Sequence, residues 1–197
     1  MARTTSIGEG LQRQEFGAGP LLQRDYWAVV REARIGPAEL ISVLASRFPE
    51  LAPEDLVRFT PARAGALEVG DEMEVRITGA GVFRVRLIHR DRQSLTLSTL
   101  PGHPEAGRIT FGAYRNGRGD LVFHIRSRAR AASRLQFYGF LIAGDPMQTN
   151  TWTDFINRVA ATFGRGVVGR VHAEKRRVPP EPGDFACDRP TFVARGD

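Results

Sequence analysis

Between residues 67 and 131 apolar side chains alternate with polar or charged ones through one hairpin after another. Successive side chains of an extended strand point to opposite faces, so this pattern demands a sheet that is apolar on one face only. In EMEVRI, Met73, Val75 and Ile77 oppose Glu72, Glu74 and Arg76; in VFRVRLIH, Phe83, Val85 and Leu87 oppose Arg84 and Arg86. Gly79-Ala80-Gly81 is the turn between them and sets Glu74 across from Arg86 on the outer face. His89 keeps the inward parity of Phe83, Val85 and Leu87 at the strand end. SLTLSTL (94 to 100) and RITFGAY (108 to 114) read as two further strands. After a turn with Asn116-Gly117, LVFHIRSRA (121 to 129) sends Leu121, Phe123 and Ile125 one way. His124, Arg126 and Arg128 go the other way, as a solvated cationic stripe with His124 exposed.

A sheet with one apolar face needs a cover, and the chain supplies one downstream. Ser133 caps a short helix through Ile142; Asp145 then serves as N-cap, Pro146 as first helical residue and Gln148 as the capping-box partner of a longer one. Trp152, Phe155, Ile156, Val159 and Phe163 form its apolar stripe, closed by Gly164. Upstream, DYWAVVREARI (25 to 35) reads as a strand. Pro37 opens a helix carrying Leu40, Ile41, Leu44 and Phe48, stopped by Pro49, and a second short helix starts at Pro53 with Leu56 and Val57 inward. The expected organisation is an irregular lead-in over 1–24, one α+β domain over 25–164, and an extended or partly disordered tail over 165–197.

Composition narrows the function classes. The longest apolar run, Phe137 to Gly144, is far short of the roughly 20 residues that cross a bilayer, and MARTTSIGEGLQRQEFGAG holds no apolar stretch of a secretion signal. The expectation is a cytoplasmic chain without a membrane span. Cys187 has no second cysteine to bond, and no CxxC or histidine stands at metal-ligand spacing beside it, so no metal and no cofactor are expected. The net charge of +6 is spread along the chain, with 27 arginines and the one lysine, Lys175, among 28 basic residues. That dispersion argues against nucleic acid as a partner. GRGVVG (164 to 169) matches GxGxxG in letters, yet it follows a helix rather than a strand; GxSxG, HExxH and P-loop patterns do not occur.

One loop stands apart. In STLPGHPEAGRITF (98 to 111), Pro101 and Pro104 stiffen the chain while Gly102 and Gly107 permit backbone conformations closed to other residues. His103 is thereby held between two strand ends, where it can exchange a proton, bind a polar ligand group, or fix the loop through a backbone hydrogen bond. Glu105 beside it is expected to be solvated.

The order of strand, helices, antiparallel strands and long carboxyl-terminal helix resembles the helix-grip fold of the START, pollen-allergen and polyketide-cyclase superfamily. In that fold a curved antiparallel sheet wraps one long helix and leaves an apolar cavity. LSTLPGHPEAG, the strand with Phe111, the turn NGRGD and LVFHIRSRARAAS are similar to the family known as domain of unknown function 1990, over about residues 67 to 160. Thr99-Leu100-Pro101-Gly102-His103 with Gly107 carries the resemblance most specifically. The chain departs from the family pattern at Ser98, Arg108 and Ile109, where a glycine and acidic residues stand in relatives, so the resemblance implies no carboxylate chemistry there.

The resemblance implies a binder of an apolar or aromatic small molecule, with Trp27, Phe83, Phe111, Phe123, Phe137, Trp152 and Phe155 lining the cavity. A cyclase or dehydratase would use the same cavity, with His103 or His89 as acid or base and Tyr114 or Tyr138 as helper. A third reading is a structural protein with a collapsed cavity, binding a protein partner or a second copy of itself.

Overall fold

Eight strands pair edge to edge into one antiparallel sheet in a computed structural model, which describes residues 9–179 and, over 134–148, the backbone without side chains. The side chains of Phe137, Tyr138, Asp145, Pro146 and Gln148, and Cys187 with the end of the expected tail, lie outside the described residues. The elements are β1 (Ala18–Val29), α1 (Pro37–Leu51), β2 (Val57–Pro61), β3 (Glu72–Ile77), β4 (Gly81–Arg90), β5 (Ser94–Thr99), β6 (Glu105–Arg115), β7 (Leu121–Ala131), α2 (Arg134–Phe163) and β8 (His172–Arg177). Spatial order is β2-β3-β4-β5-β6-β7-β1-β8, so the strands from β2 to β7 follow the chain as a meander and β1 closes onto the last of them.

The period-two pattern decides which face is covered. Met73, Val75, Val85, Leu87, Leu95, Leu97, Phe111, Phe123 and Ile125 share one buried core. α1 packs on that face at β6, and α2 packs at β1 and β7. Phe48 sits edge-on to Phe59 and Phe111, and Phe155 packs against Phe48, Phe111 and Phe123. Each fully buried phenylalanine contributes about 1.5–3 kcal/mol of transfer free energy, so this aromatic centre holds helices to sheet.

Several expectations are corrected. No helix starts at Pro53: Val57–Pro61 is strand β2, paired Val57↔Ile77 and Phe59↔Val75, because Val57 and Phe59 alternate with Arg58 and Thr60. Pro49 does not end α1, which runs to Leu51 past a kink at Arg47 (φ −128°, ψ 28°). The β3–β4 turn centres on Gly79, so Arg86 faces Glu72 rather than Glu74 and binds it at 2.7 Å. β1 begins at Ala18, inside the expected lead-in. The near end of the expected tail forms β8, an exposed edge strand paired to β1 from Leu22↔Arg177 to Trp27↔His172. α2 runs through residues 143–145 without the expected break between two helices. GRGVVG is a turn: Gly164 passes against the Arg31 carbonyl, and Val167 bridges Val30. Among the described residues no helix is long and apolar enough to cross a membrane.

Candidate functional site

The buried face loses bulk toward one end of β6 and β7. Ile125 on β7 gives way to Ser127 and Ala129 on the same face, and Gly107 on β6 sits across from Ala129. A Cβ on Gly107 would collide with the Arg128 carbonyl oxygen and lie 2.6 Å from the Ala129 Cα, so only glycine lets the strands approach this closely. Short side chains here leave a cavity of about 120 Å³ between the sheet and α2. Val75, Val85, Leu97 and Ile109 wall it from the sheet, Trp152 from the helix, and His103 and Ser127 also line it. A second depression of about 360 Å³, between β1, β8 and α2, is bordered by Arg24, Glu174 and Lys175 and has the character of a wet surface cleft.

The β5–β6 loop is pinned by a residue from outside the sheet. Gln12 donates from Nε2 to the His103 and Glu105 carbonyls at 2.6 and 2.8 Å, and its Oε1 accepts from the Gly102 N–H at 3.0 Å. Its own N–H reaches the Thr99 carbonyl at 2.8 Å. Gly102 turns the loop at φ +96°, a left-handed conformation that favours glycine. Thr99 Oγ1 ties the same loop to Gln12 O and to Gly107.

His103 is consequently 8% exposed, with Phe83 against its ring at 5.3 Å. Burial pushes its pKa from 6.5 down to about 4, against the opposing pull of the Glu105 carbonyl. Nδ1 lies 3.1 Å from both the Glu105 nitrogen and that carbonyl oxygen. The oxygen already accepts from Gln12 Nε2, whereas the N–H depends on Nδ1 as acceptor. Satisfying both groups makes Nδ1 the acceptor and places the proton on Nε2. The ring at neutral pH is then an uncharged donor at the cavity wall, with no hydrogen-bond partner for Nε2 among the described residues. Glu105 is not solvated as expected: Arg24, itself buried, lies 3.5 Å from its carboxylate.

The remaining sequence-selected residues fall in several places. Trp152 lines the cavity. Phe111, Phe123 and Phe155 are fully buried in the aromatic centre and fill space rather than border it. Trp27 lies on the opposite face of the sheet, stacked on His172 at 5.1 Å, because its register partner is the outward His124. His89 is also outside the cavity. The β4–β5 register shifts between Leu87 and His89, and this bulge reverses the parity of the residues beyond it, so His89 pairs with Thr96 and binds Asp91 at 3.0 Å. Tyr114 is on the outer face too, with its hydroxyl 3.4 Å from His124 Nδ1.

The outer stripe is no solvated surface. His124 is fully buried and donates from Nε2 to Asp25 Oδ1 at 2.8 Å; Arg126 donates to the same oxygen at 2.6 Å, and Gln23 to Asp25 Oδ2 at 2.7 Å. Arg128 donates to Gln23 Oε1 at 2.8 Å. Burial raises the Asp25 pKa, but the hydrogen bonds from His124, Gln23 and Arg126 outweigh it and hold the carboxyl far below its usual range. Parity predicted which way these side chains point; it carried no information on whether that face is covered.

A curved antiparallel sheet with two helices on its apolar face, and a cavity where its side chains shorten, defines a protein of the helix-grip class. Within that class the sequence model described as "Domain of unknown function (DUF1990)" matches residues 11–159, and the chain belongs to this family. No curated protein matches it in sequence. Among solved structures it is similar to ginseng major latex-like protein 151 from Panax ginseng, at 10% identity over 74% of this chain and 99% of that one, TM-score 0.53. A norcoclaurine synthase point mutant from Thalictrum flavum, in complex with a transition state analogue, is 12% identical over 74% of this chain and 98% of that one, TM-score 0.53. The solution structure of KanY protein is 8% identical over 74% and 99%, TM-score 0.56. Identities this low speak to the fold alone.

Proposed function

We propose that the chain binds an apolar small molecule, one ring or a short branched chain in size, in the cavity between the sheet and α2. The observation that carries this is an apolar chamber of about 120 Å³ bordered by Val75, Val85, Leu97, Ile109 and Trp152. An apolar cavity of about 150 Å³ accepts benzene, so the volume selects a single ring and excludes a fused polyketide or a long acyl chain unless α2 moves. A solved protein of the same fold, the norcoclaurine synthase point mutant, is in complex with a transition state analogue, which supports the reading.

The cyclase or dehydratase alternative is weaker. A histidine with a pKa of about 4 is a feeble base at neutral pH, and Tyr114 lies on the other face of the sheet. The collapsed-cavity reading is opposed by the open volume itself. The test is a methyl NMR titration with toluene. Resonances of Val75, Val85 and Leu97 should shift, and Ala129→Leu, which fills the chamber from β7, should abolish the shifts. Unmoved resonances at saturating toluene would reject the proposal.

A further inference from the structure

Resting on that binding reading, we infer that the occupant is an uncharged molecule with a hydrogen-bond acceptor of the ketone class, received by Ser127 Oγ and His103 Nε2. Ser127 is 6% exposed, and its hydroxyl is buried with no hydrogen-bond partner among the described residues. Leaving a buried hydroxyl unserved costs about 1–3 kcal/mol, so such groups are uncommon unless something outside the chain serves them. Nothing on its own face does so: along β7 its neighbours are Ile125 and Ala129, and its register partner on β6 is Ile109. Alanine would occupy the position at no polar cost.

The other hydroxyl on that wall, Thr99 Oγ1, is already engaged by Gln12 and Gly107. His103 lines the same chamber, and with Nδ1 taken up by the Glu105 N–H its remaining donor is Nε2–H. Ser127 and His103 both line this apolar chamber, and a turn of the serine hydroxyl about χ1 would bring two donors to one oxygen with two lone pairs. A carboxylate ligand would give up its hydration in a chamber walled mainly by Val75, Val85, Leu97, Ile109 and Trp152; Glu105 also borders it, with Arg24 already at 3.5 Å from that carboxylate, and Arg108 borders it from a β6 position of outward parity.

Cyclohexanone and methylenecyclohexane differ only by C=O against C=CH₂ and make a matched probe pair. Affinities come from methyl NMR titrations of wild type, Ser127→Ala, and the surface control Ser46→Ala. Ser127→Ala should weaken cyclohexanone about tenfold and leave methylenecyclohexane unchanged or tighter, and Ser46→Ala should alter neither. In wild type, cyclohexanone should move the His103 Nε2 ¹⁵N resonance and methylenecyclohexane should not. If both probes bind but Ser127→Ala changes them equally, a trapped water serves the hydroxyl and the inference is overturned while the cavity reading stands. If cyclohexanone binds without moving Nε2, the role of His103 is overturned. If neither probe binds, both readings fall together.

Discussion

Acid should destabilise this protein before most of its carboxylates titrate, and His103 is the reason. In the unfolded chain the imidazole takes up its proton near pH 6.5, whereas burial holds it back until about pH 4 in the folded chain. Between these values the unfolded state binds a proton that the folded state refuses, so stability falls as pH falls. The contribution is intact above pH 6.5 and fully lost below about pH 4. At 1.36 kcal/mol per pKa unit the interval amounts to about 3 kcal/mol, of which roughly 2–3 kcal/mol is gone by pH 4.5. Against the 5–15 kcal/mol typical of a domain, that loss is easily measured. Urea denaturation of wild type and His103→Gln at several pH values from 7.5 to 4.5 isolates it, because every other ionisable group is common to the two proteins and cancels in the difference. Wild type should lose about 2–3 kcal/mol more than the variant over that range. Parallel profiles, or a His103 ring resonance titrating near pH 6.5, would refute the argument that the ring is buried and neutral.

Three further outcomes rest on the same geometry. Gly107→Ala drives a methyl into the Arg128 carbonyl and the Ala129 backbone, neither of which can yield, and should cost about 3 kcal/mol or more in chemical denaturation; a loss below about 1 kcal/mol would mean the strands are not so closely apposed. Gln12→Ala removes three side-chain hydrogen bonds to the loop and should cost about 1–3 kcal/mol while raising the His103 pKa toward 6.5, both readable from denaturation and an NMR titration. Asp25→Asn withdraws the charge that His124 and Arg126 share and should cost about 3 kcal/mol near neutral pH, with the penalty shrinking below about pH 4 as the unfolded wild-type carboxyl takes up a proton that the folded one refuses; a loss in chemical denaturation that stays constant into acid would contradict the carboxylate's role.

The meander was legible because its strands have one wet and one apolar face: Met73, Val75, Phe123 and Ile125 point where their alternation says. The same rule failed wherever a local irregularity intervened. Nothing in VFRVRLIH announces the bulge beyond Leu87, and one extra residue was enough to turn His89 away from the cavity. Proline at residue 53 looks like a helix start, yet the alternation of Val57 and Phe59 beside an open sheet edge won. Of the candidate site, the His103 loop was legible from its prolines and glycines. Gln12 was not, since its role depends on a contact across 91 residues of chain that leaves no local pattern. Ser127 was hidden for a related reason: a serine with inward parity reads as a small core residue until the space around it is known.

Xenon tests the open apolar chamber between sheet and α2 most directly. A crystal held under xenon pressure should show the gas in contact with Val75, Leu97 and Trp152, next to Ser127, with no movement of the backbone. Crystals in which xenon avoids this position, with Trp152 or other side chains filling it, would contradict the account.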